Sequence, residues 1–152
     1  MFSDFFDEMN RKKLFTEEDD QLRKNYRNHG NLICRYQNLE FLEVDTDWLY
    51  IDCSLNTIHE IRNLNLASNL ICLECQSNNL TSIHLEGLTE LKSLNCSMNQ
   101  LKEITGLHSC TKLVSLNCYM NHLVSLDLNG LSKLMNLSCY SNQLNNIENL
   151  EK

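Results

Sequence analysis

The feature that most constrains the fold is a pattern that occurs five times at intervals of 21 or 22 residues. The copies share the form L-x-x-L-x-C-x-x-N-x-L, from WLYIDCSLNTI at residue 48 to LMNLSCYSNQL at residue 134, with Trp48, Ile51 and Ile58 as apolar variants. The shared cysteines are Cys53, Cys75, Cys96, Cys118 and Cys139. One copy is too short to bury its own apolar face. The copies must therefore stack, and the chain is predicted to form a solenoid.

Each column of the pattern has a physical role. Each copy contains the segment L-x-C, or I-x-C in the first copy. Its apolar residue and its cysteine share one face of a short strand, because side chains alternate along a strand. Stacked copies then give a parallel sheet over one core, in which cysteine acts as a small hydrophobe. The asparagine after each strand is predicted to hydrogen-bond backbone groups that the turn would leave unpaired. These asparagines are Asn56, Asn78, Asn99, Asn121 and Asn142.

A second column marks the return segment of each repeat. Asparagine or glycine stands directly before a leucine at Asn63, Gly87, Gly106, Gly130 and Asn149. These two residue types tolerate a left-handed backbone, so a turn is predicted there. The return segments alternate between two forms and are short, which favours extended or 3₁₀ structure over full helices.

The repeat resembles that of leucine-rich-repeat proteins, above all the 21–22-residue repeats of internalin-type and related bacterial proteins. The resemblance covers about residues 48–152 and implies an α/β leucine-rich-repeat solenoid with a parallel β-sheet on the concave face. Repeats are predicted at 48–69, 70–90, 91–112, 113–133 and 134–152. Such repeats present a concave surface to another protein, and in pathogenic bacteria similar proteins often act as adhesins or as effectors inside host cells.

Residues 1–47 do not fit the pattern and are predicted to form a helical N-terminal cap over the open end of the solenoid. Capping and spacing signals favour a helix over about 17–28 and a shorter one near 3–14. The alternating segment 39–44 predicts a strand leading into the first repeat. The alternative is an amphipathic arm that docks a partner. The last repeat has no capping motif, so a short tail, a partner or a further part of the chain could cover that end.

The cysteines are predicted to be structural. Cys72 and Cys75 form a C-x-x-C, but two residues three apart on a strand point to opposite faces, so a shared metal is not expected. Adventitious metal binding or oxidation to disulfides is the alternative. Free thiols persist in reducing compartments, and the N-terminus lacks the order of a signal peptide. A cytoplasmic protein is expected, or one in the host cytosol if it is a translocated effector.

Composition argues against several other functions. The formal net charge is −7 and residues 31–152 contain no basic cluster, which does not favour nucleic acid or an anionic membrane as a partner. No apolar run approaches the ~20 residues that span a membrane. No G-x-S-x-G elbow or phosphate-binding glycine loop occurs, and the five histidines share no ligand spacing. No catalysis, cofactor or metal is expected.

The residues between the buried columns must face the concave side, and they form the predicted partner-binding site. That site comprises Tyr50, Asp52, Leu55, Glu74, Gln76, Asn95, Met98, Asn117, Tyr119, Met120, Asn136 and Tyr140. Register places Tyr119 beside Tyr140 and Met98 beside Met120. Tyrosine and methionine are enriched in protein interfaces, although both also suit an exposed sheet.

The acidic pair Asp52 and Glu74 would also be adjacent in this register. Like charges side by side destabilise a sheet unless something compensates. We expect the pair to contact a basic group on the partner and to speed encounter.

These patterns together predict a non-catalytic module that recognises a protein partner through its concave sheet surface. A bacterial effector, or an inhibitor that covers another protein's active site, is one specific form. The alternatives are a recruitment adaptor that docks a second protein through the N-terminal cap, an enzyme with an unrecognised site, and a fragment of a longer repeat scaffold.

Overall fold

A computed structural model describes residues 30–44 and 48–149, which wind into a solenoid of short parallel strands. In chain order the strands are β1 (Asn31–Ile33), β2 (Phe41–Glu43), β3 (Tyr50–Asp52), β4 (Glu60–Arg62), β5 (Cys72–Glu74), β6 (Ile83–His84), β7 (Ser93–Asn95), β8 (Ile104–Thr105), β9 (Ser115–Asn117), β10 (Ser125–Asp127), β11 (Asn136–Ser138) and β12 (Asn146–Glu148). Two 3₁₀ helices, Leu64–Leu66 and Leu107–Ser109, complete the described elements. The predicted leucine-rich-repeat solenoid is confirmed.

The odd-numbered strands form one six-stranded parallel sheet in the order β1-β3-β5-β7-β9-β11, and the return strands pair as β2–β4, β6–β8 and β10–β12. Leu73 lies opposite Ile51 on one side and Leu94 on the other. Identical positions of the repeat are therefore stacked in register. This register places each column of the sequence pattern in one continuous row of side chains.

The core consists of the apolar columns. Ile51, Leu73 and Leu94 are almost fully buried, and so are the pattern cysteines except Cys139, which is half-buried in the last described coil. Burial raises the pKa of the Cys118 thiol to about 12. The thiol is therefore protonated at neutral pH and packs as a hydrophobe. All eight cysteines are free thiols.

The asparagine after each strand bonds two coils together. Asn99 Nδ2 donates to the carbonyl oxygens of Cys75 at 3.0 Å and Cys96 at 3.1 Å, and Asn99 Oδ1 accepts from the Leu80 N–H at 2.9 Å. Asn121 repeats these contacts one coil further along. Each amide thus satisfies buried backbone groups of its own coil and the preceding one, as the sequence predicts.

The return segments contain the predicted left-handed turns, with φ of 57° at Asn63, 85° at Gly87 and 71° at Gly106. The two 3₁₀ helices follow Asn63 and Gly106 and fall in the 22-residue intervals, whereas no helix is described in the 21-residue intervals. The extra residue is accommodated as one 3₁₀ turn. This explains the two alternating return forms.

The solenoid begins earlier than predicted. β1 pairs with β3, and Cys34 is buried in the same column as Cys53. Residues 31–44 therefore form a further coil rather than part of a separate cap. The spacing hid this coil, because Cys34 and Cys53 are only 19 residues apart and Gln37 replaces the turn asparagine.

The strand predicted at 39–44 is confirmed as β2. The helices predicted over 17–28 and near 3–14 lie outside the described residues. None of the described helices has the length and apolar content of a membrane-spanning segment.

Candidate protein-binding face

We call one surface of the solenoid the sheet face. It comprises the side chains of the six-stranded sheet that point away from the core, and the second and third residues after each of these strands. All twelve predicted site residues lie at its positions, in rows that run across the strands. One row holds Tyr50 and Asn136, the next Asp52, Glu74, Asn95 and Asn117, the third Gln76, Tyr119 and Tyr140, and the last Leu55, Met98 and Met120. Period-two alternation places the first three rows there, since the residues between them fill the core.

Two tyrosine rings stack at one end of the sheet face. The ring centroids of Tyr119 and Tyr140 are 4.7 Å apart and the planes differ by 5°. Tyr140 is 61% exposed. The separation matches the strand spacing of about 4.8 Å, so each ring stands over its own strand. Tyr119 is half-buried, and a stacked aromatic pair with polar tips at the surface is typical of interface anchors.

Met98 and Met120 lie beside the tyrosines and have a left-handed backbone. Their φ angles are 55° and 53°, and their side chains are 43% and 48% exposed. The same conformation recurs at Tyr36, Leu55 and Ser77. A left-handed backbone costs a residue with a Cβ about 1–2 kcal/mol. Sequence reasoning identified these methionines as exposed but missed their backbone strain, because neither methionine nor leucine signals a left-handed turn.

The acidic end of the sheet face differs from the prediction. Asp52 and Glu74 are adjacent, as expected, but the Asp52 side chain is buried and forms an ion pair with Arg35. Arg35 Nε donates to Asp52 Oδ2 at 2.5 Å, and Ser54 Oγ donates to Asp52 Oδ1 at 2.7 Å. Asp52 is therefore not open to a partner's basic group. Arg35, from the segment predicted to be a cap, compensates the charge.

These contacts set the protonation of Asp52. Burial by itself raises the pKa of a carboxyl group, but the hydrogen bonds from Arg35 and Ser54 outweigh burial and hold the pKa of Asp52 below its ordinary value. Tyr50 completes the group, because its hydroxyl lies 3.4 Å from Asp52 Oδ2.

The lowered pKa of Asp52 predicts a specific pH dependence of stability. A carboxyl group with a lowered folded-state pKa stabilises the fold above its unfolded-state value, here 3.8, and that contribution disappears as the pH falls through the folded-state value. Asp52→Asn is expected to lower the free energy of unfolding at pH 7, and the difference from wild type should shrink towards pH 3. Urea unfolding at several pH values measures this difference in the free energy of unfolding.

Glu60→Gln, in an exposed ion pair with Arg62, is the control and should change the free energy of unfolding little. Equal losses in both variants at every pH would contradict the view that the Asp52 carboxylate stabilises the fold.

The middle of the sheet face is polar. Asn95 Nδ2 donates to Glu74 Oε2 at 3.1 Å, and Ser97 Oγ donates to Asn95 Oδ1 at 2.8 Å. Gln76 Oε1 and Asn117 Oδ1 are buried and have no hydrogen-bond partner in the described part of the chain. Such orphaned acceptors are rare in folded proteins, and sequence patterns do not reveal them.

Among the described residues, no group of three or more His, Cys, Asp or Glu side chains is placed to hold a metal ion. Within residues 30–44 and 48–149, the titratable groups of the sheet face are Arg35, Tyr36, Tyr50, Asp52, Cys72, Glu74, Tyr119 and Tyr140. Burial, and then the nearby Glu74 carboxylate, raise the pKa of the Cys72 thiol to about 11, so this thiol is protonated at neutral pH.

Comparison with known proteins agrees with this geometry. A family model described as Leucine Rich repeats (2 copies) matches residues 89–133. The stacked coils on both sides of that segment have the same architecture, so the matched repeats are part of one leucine-rich-repeat solenoid. No curated protein matches the sequence. Leucine-rich repeats generally mediate protein–protein interactions and are typically non-catalytic binding scaffolds.

Proposed function

We propose that this protein is a non-catalytic module that binds a protein partner through the sheet face. The contact is centred on Met98, Met120, Tyr119 and Tyr140, which we call the anchor patch. The observation that carries the proposal is the pair of exposed methionines in a left-handed backbone beside the stacked tyrosines.

The left-handed backbone recurs at this position in every described coil of the six-stranded sheet, but the exposed apolar side chain is not required by the fold. Ser77 and Ser141 occupy the same row with the same left-handed backbone, so a small polar residue is compatible with the coil. A methionine there keeps the backbone strain and also exposes apolar surface to water. A partner that covers the methionine side chains would remove this apolar surface from water and so recover the cost of exposing it. Strained residues with exposed apolar side chains are typical of functional surfaces.

A more specific form of the proposal is an inhibitor that lays the sheet face over another protein's active site, or a bacterial effector that acts on a host protein. The resemblance to internalin-type repeats supports the bacterial setting. The eight free thiols support a reducing compartment such as the cytoplasm or the host cytosol.

Affinity capture from native lysate, read by mass spectrometry, tests the proposal. Wild type is compared with the Tyr119→Ala/Tyr140→Ala/Met120→Ala variant and with a Leu66→Ala/Val124→Ala control, which removes exposed apolar side chains outside the six-stranded sheet. All three proteins must first show comparable thermal melts. A protein retained by wild type and the control but lost by the anchor-patch variant supports the proposal. Equal recovery by all three contradicts it.

We expect substitutions of the anchor-patch methionines to raise the stability of the protein and to weaken partner binding. Asparagine accepts a left-handed backbone more readily than methionine does, so Met98→Asn and Met120→Asn are each expected to raise the free energy of unfolding by about 0.5–1 kcal/mol. Both changes should weaken capture of the partner, because they remove apolar contact area. Urea unfolding and quantitative capture measure the two effects. Val124→Asn, at an exposed residue without a left-handed backbone, should give no stability gain.

A further inference from the structure

We propose that Met98 and Met120 form a reversible oxidation site, at which hydrogen peroxide converts the two thioethers to sulfoxides and thereby weakens partner binding. The effect on binding rests on the proposed function, since both residues belong to the anchor patch. The inference adds a form of regulation to that function, namely the oxidation state of two sulfur atoms. The oxidation itself can be measured without the partner.

Both methionines are open to solvent in the folded chain. Met98 and Met120 are 43% and 48% exposed. The Met98 N–H donates to the Tyr119 carbonyl oxygen at 2.9 Å, and the Met120 N–H donates to the Tyr140 carbonyl oxygen at 3.0 Å. These bonds hold the two methionines at equivalent positions of successive coils, with their backbones about 4.8 Å apart. An oxidant therefore reaches both side chains in one patch without unfolding a coil.

The cysteine thiols, which compete for peroxide, are protected by the fold. Peroxide attacks the thiolate rather than the thiol. Burial raises the pKa of the Cys118 thiol to about 12, and burial together with the Glu74 carboxylate raises the pKa of the Cys72 thiol to about 11. Six of the eight cysteines are also buried. A thioether has no proton to lose, so its exposure decides its reactivity, and the exposed methionines become the preferred targets.

The oxidation and its reversal balance with named reagents. The thioether sulfur attacks one oxygen of hydrogen peroxide, the O–O bond breaks, an S–O bond forms and water leaves. The sulfur loses two electrons and the peroxide gains them. A methionine sulfoxide reductase reverses the change with a dithiol, which supplies two electrons and becomes a disulfide while the oxygen leaves as water.

The product changes the chemistry of the anchor patch. A sulfoxide is polar, whereas the thioether is apolar. A partner that covers the patch would bury each new oxygen beside surface that was selected to be apolar, which is unfavourable unless a donor is present. Oxidation should therefore weaken binding while the stacked rings of Tyr119 and Tyr140 stay in place.

The two methionines differ in one contact. Ser77 Oγ donates to Met98 Sδ at 3.6 Å. Sulfur is a weak acceptor, but this contact occupies one of the lone pairs through which the sulfur attacks peroxide. Within the part of the chain that the structure describes, Met120 Sδ has no such donor. Met120 is therefore expected to be oxidised faster than Met98.

Peptide mass spectrometry of the folded full chain after peroxide treatment at neutral pH tests the site. Trypsin yields peptides 93–102 and 113–133, each of which contains one anchor-patch methionine and one pattern cysteine. Met120 and then Met98 should gain one oxygen, while the cysteine of the same peptide stays reduced and is alkylated after unfolding. Incubation with dithiothreitol and a reductase for each sulfoxide epimer should restore both methionines. Oxidation of the cysteines before the methionines, or sulfoxides that the reductases do not repair in the folded chain, overturns the proposal.

Paired binding measurements test the effect on the partner, using the protein that wild type retains in the capture experiment. Peroxide should weaken its binding to wild type by about tenfold or more, and reductase treatment should restore it. Met98→Leu/Met120→Leu cannot form these sulfoxides, and Leu55 shows that leucine fits this row with the same backbone. Whatever its own affinity, this variant should bind equally before and after peroxide.

Met135→Leu is the matched control. Met135 is 81% exposed but lies outside the anchor patch, so this variant should remain as sensitive to peroxide as wild type. A loss of affinity in Met98→Leu/Met120→Leu as large as that of wild type, or protection by Met135→Leu alone, overturns the proposed control of binding.

The oxidation site and the proposed function can fail separately. If anchor-patch variants lose the partner but peroxide does not weaken its binding, the proposed function stands and the redox control is wrong. If both methionines are oxidised and repaired but every anchor-patch variant retains all partners, the oxidation site stands. The proposed function is then wrong, and the effect of oxidation on binding fails with it.

Discussion

Replacing Asn99 with alanine is expected to destabilise the protein by about 3–5 kcal/mol, a large part of the stability of a domain this size. The substitution leaves the Leu80 N–H and the carbonyl oxygens of Cys75 and Cys96 without partners inside the solenoid. Asn99 is itself only 7% exposed, so water cannot replace the lost bonds without opening the coil. Equilibrium unfolding in urea measures the loss.

Asn69→Ala is the control for this measurement. Asn69 is exposed, lies outside the turn column and is expected to change stability by less than about 0.5 kcal/mol. A loss at Asn99 as small as the one at Asn69 would contradict the view that the asparagine column holds successive coils together.

Replacing Gly106 with alanine is expected to cost about 3 kcal/mol or more. Gly106 has φ of 71°, and an ideal Cβ there would overlap the backbone nitrogen of Glu86 on the preceding coil. The substitution adds left-handed strain and forces two coils apart at a closely packed point. Urea unfolding and the thermal melt should both report the loss.

Gly87→Ala separates the two contributions. Gly87 is also left-handed, with φ of 85°, but the nearest atom to its Cβ would be the Asn65 carbonyl oxygen at 3.4 Å. Only the conformational cost of about 1–2 kcal/mol remains. Equal losses of stability in the two variants would mean that the close approach of Gly106 to Glu86 does not contribute to the cost of Gly106→Ala.

The periodic part of the structure could be predicted from sequence because each contact recurs. Because the pattern recurs every 21 or 22 residues, equivalent residues of successive copies lie next to each other. One alignment of the copies therefore predicts the strands, the asparagine hydrogen bonds, the left-handed turns at Gly87 and Gly106, and the tyrosine stack. The additional coil at residues 31–44 was missed because its spacing to the next copy is shorter and its turn asparagine is replaced.

The rest of the sheet face depends on contacts that do not repeat. Arg35 reaches Asp52 from the neighbouring coil, and no column pattern predicts a pairing that occurs at one place. The orphaned oxygens of Gln76 and Asn117 depend on side-chain rotamers. The left-handed backbone at Met98 and Met120 does recur at this position of each coil, but neither methionine nor leucine signals it in the sequence.

Site-specific photocrosslinking in the cells that make this protein tests the central claim most directly. A benzoylphenylalanine side chain is placed at Tyr140 on the anchor patch, or at Val124, which is 50% exposed outside the six-stranded sheet. The account predicts a discrete adduct with one protein from position 140, absent from position 124 and lost when Met98→Asn and Met120→Asn are added. Adducts from position 124 alone, or an adduct at position 140 that survives both methionine changes, would contradict binding through the sheet face.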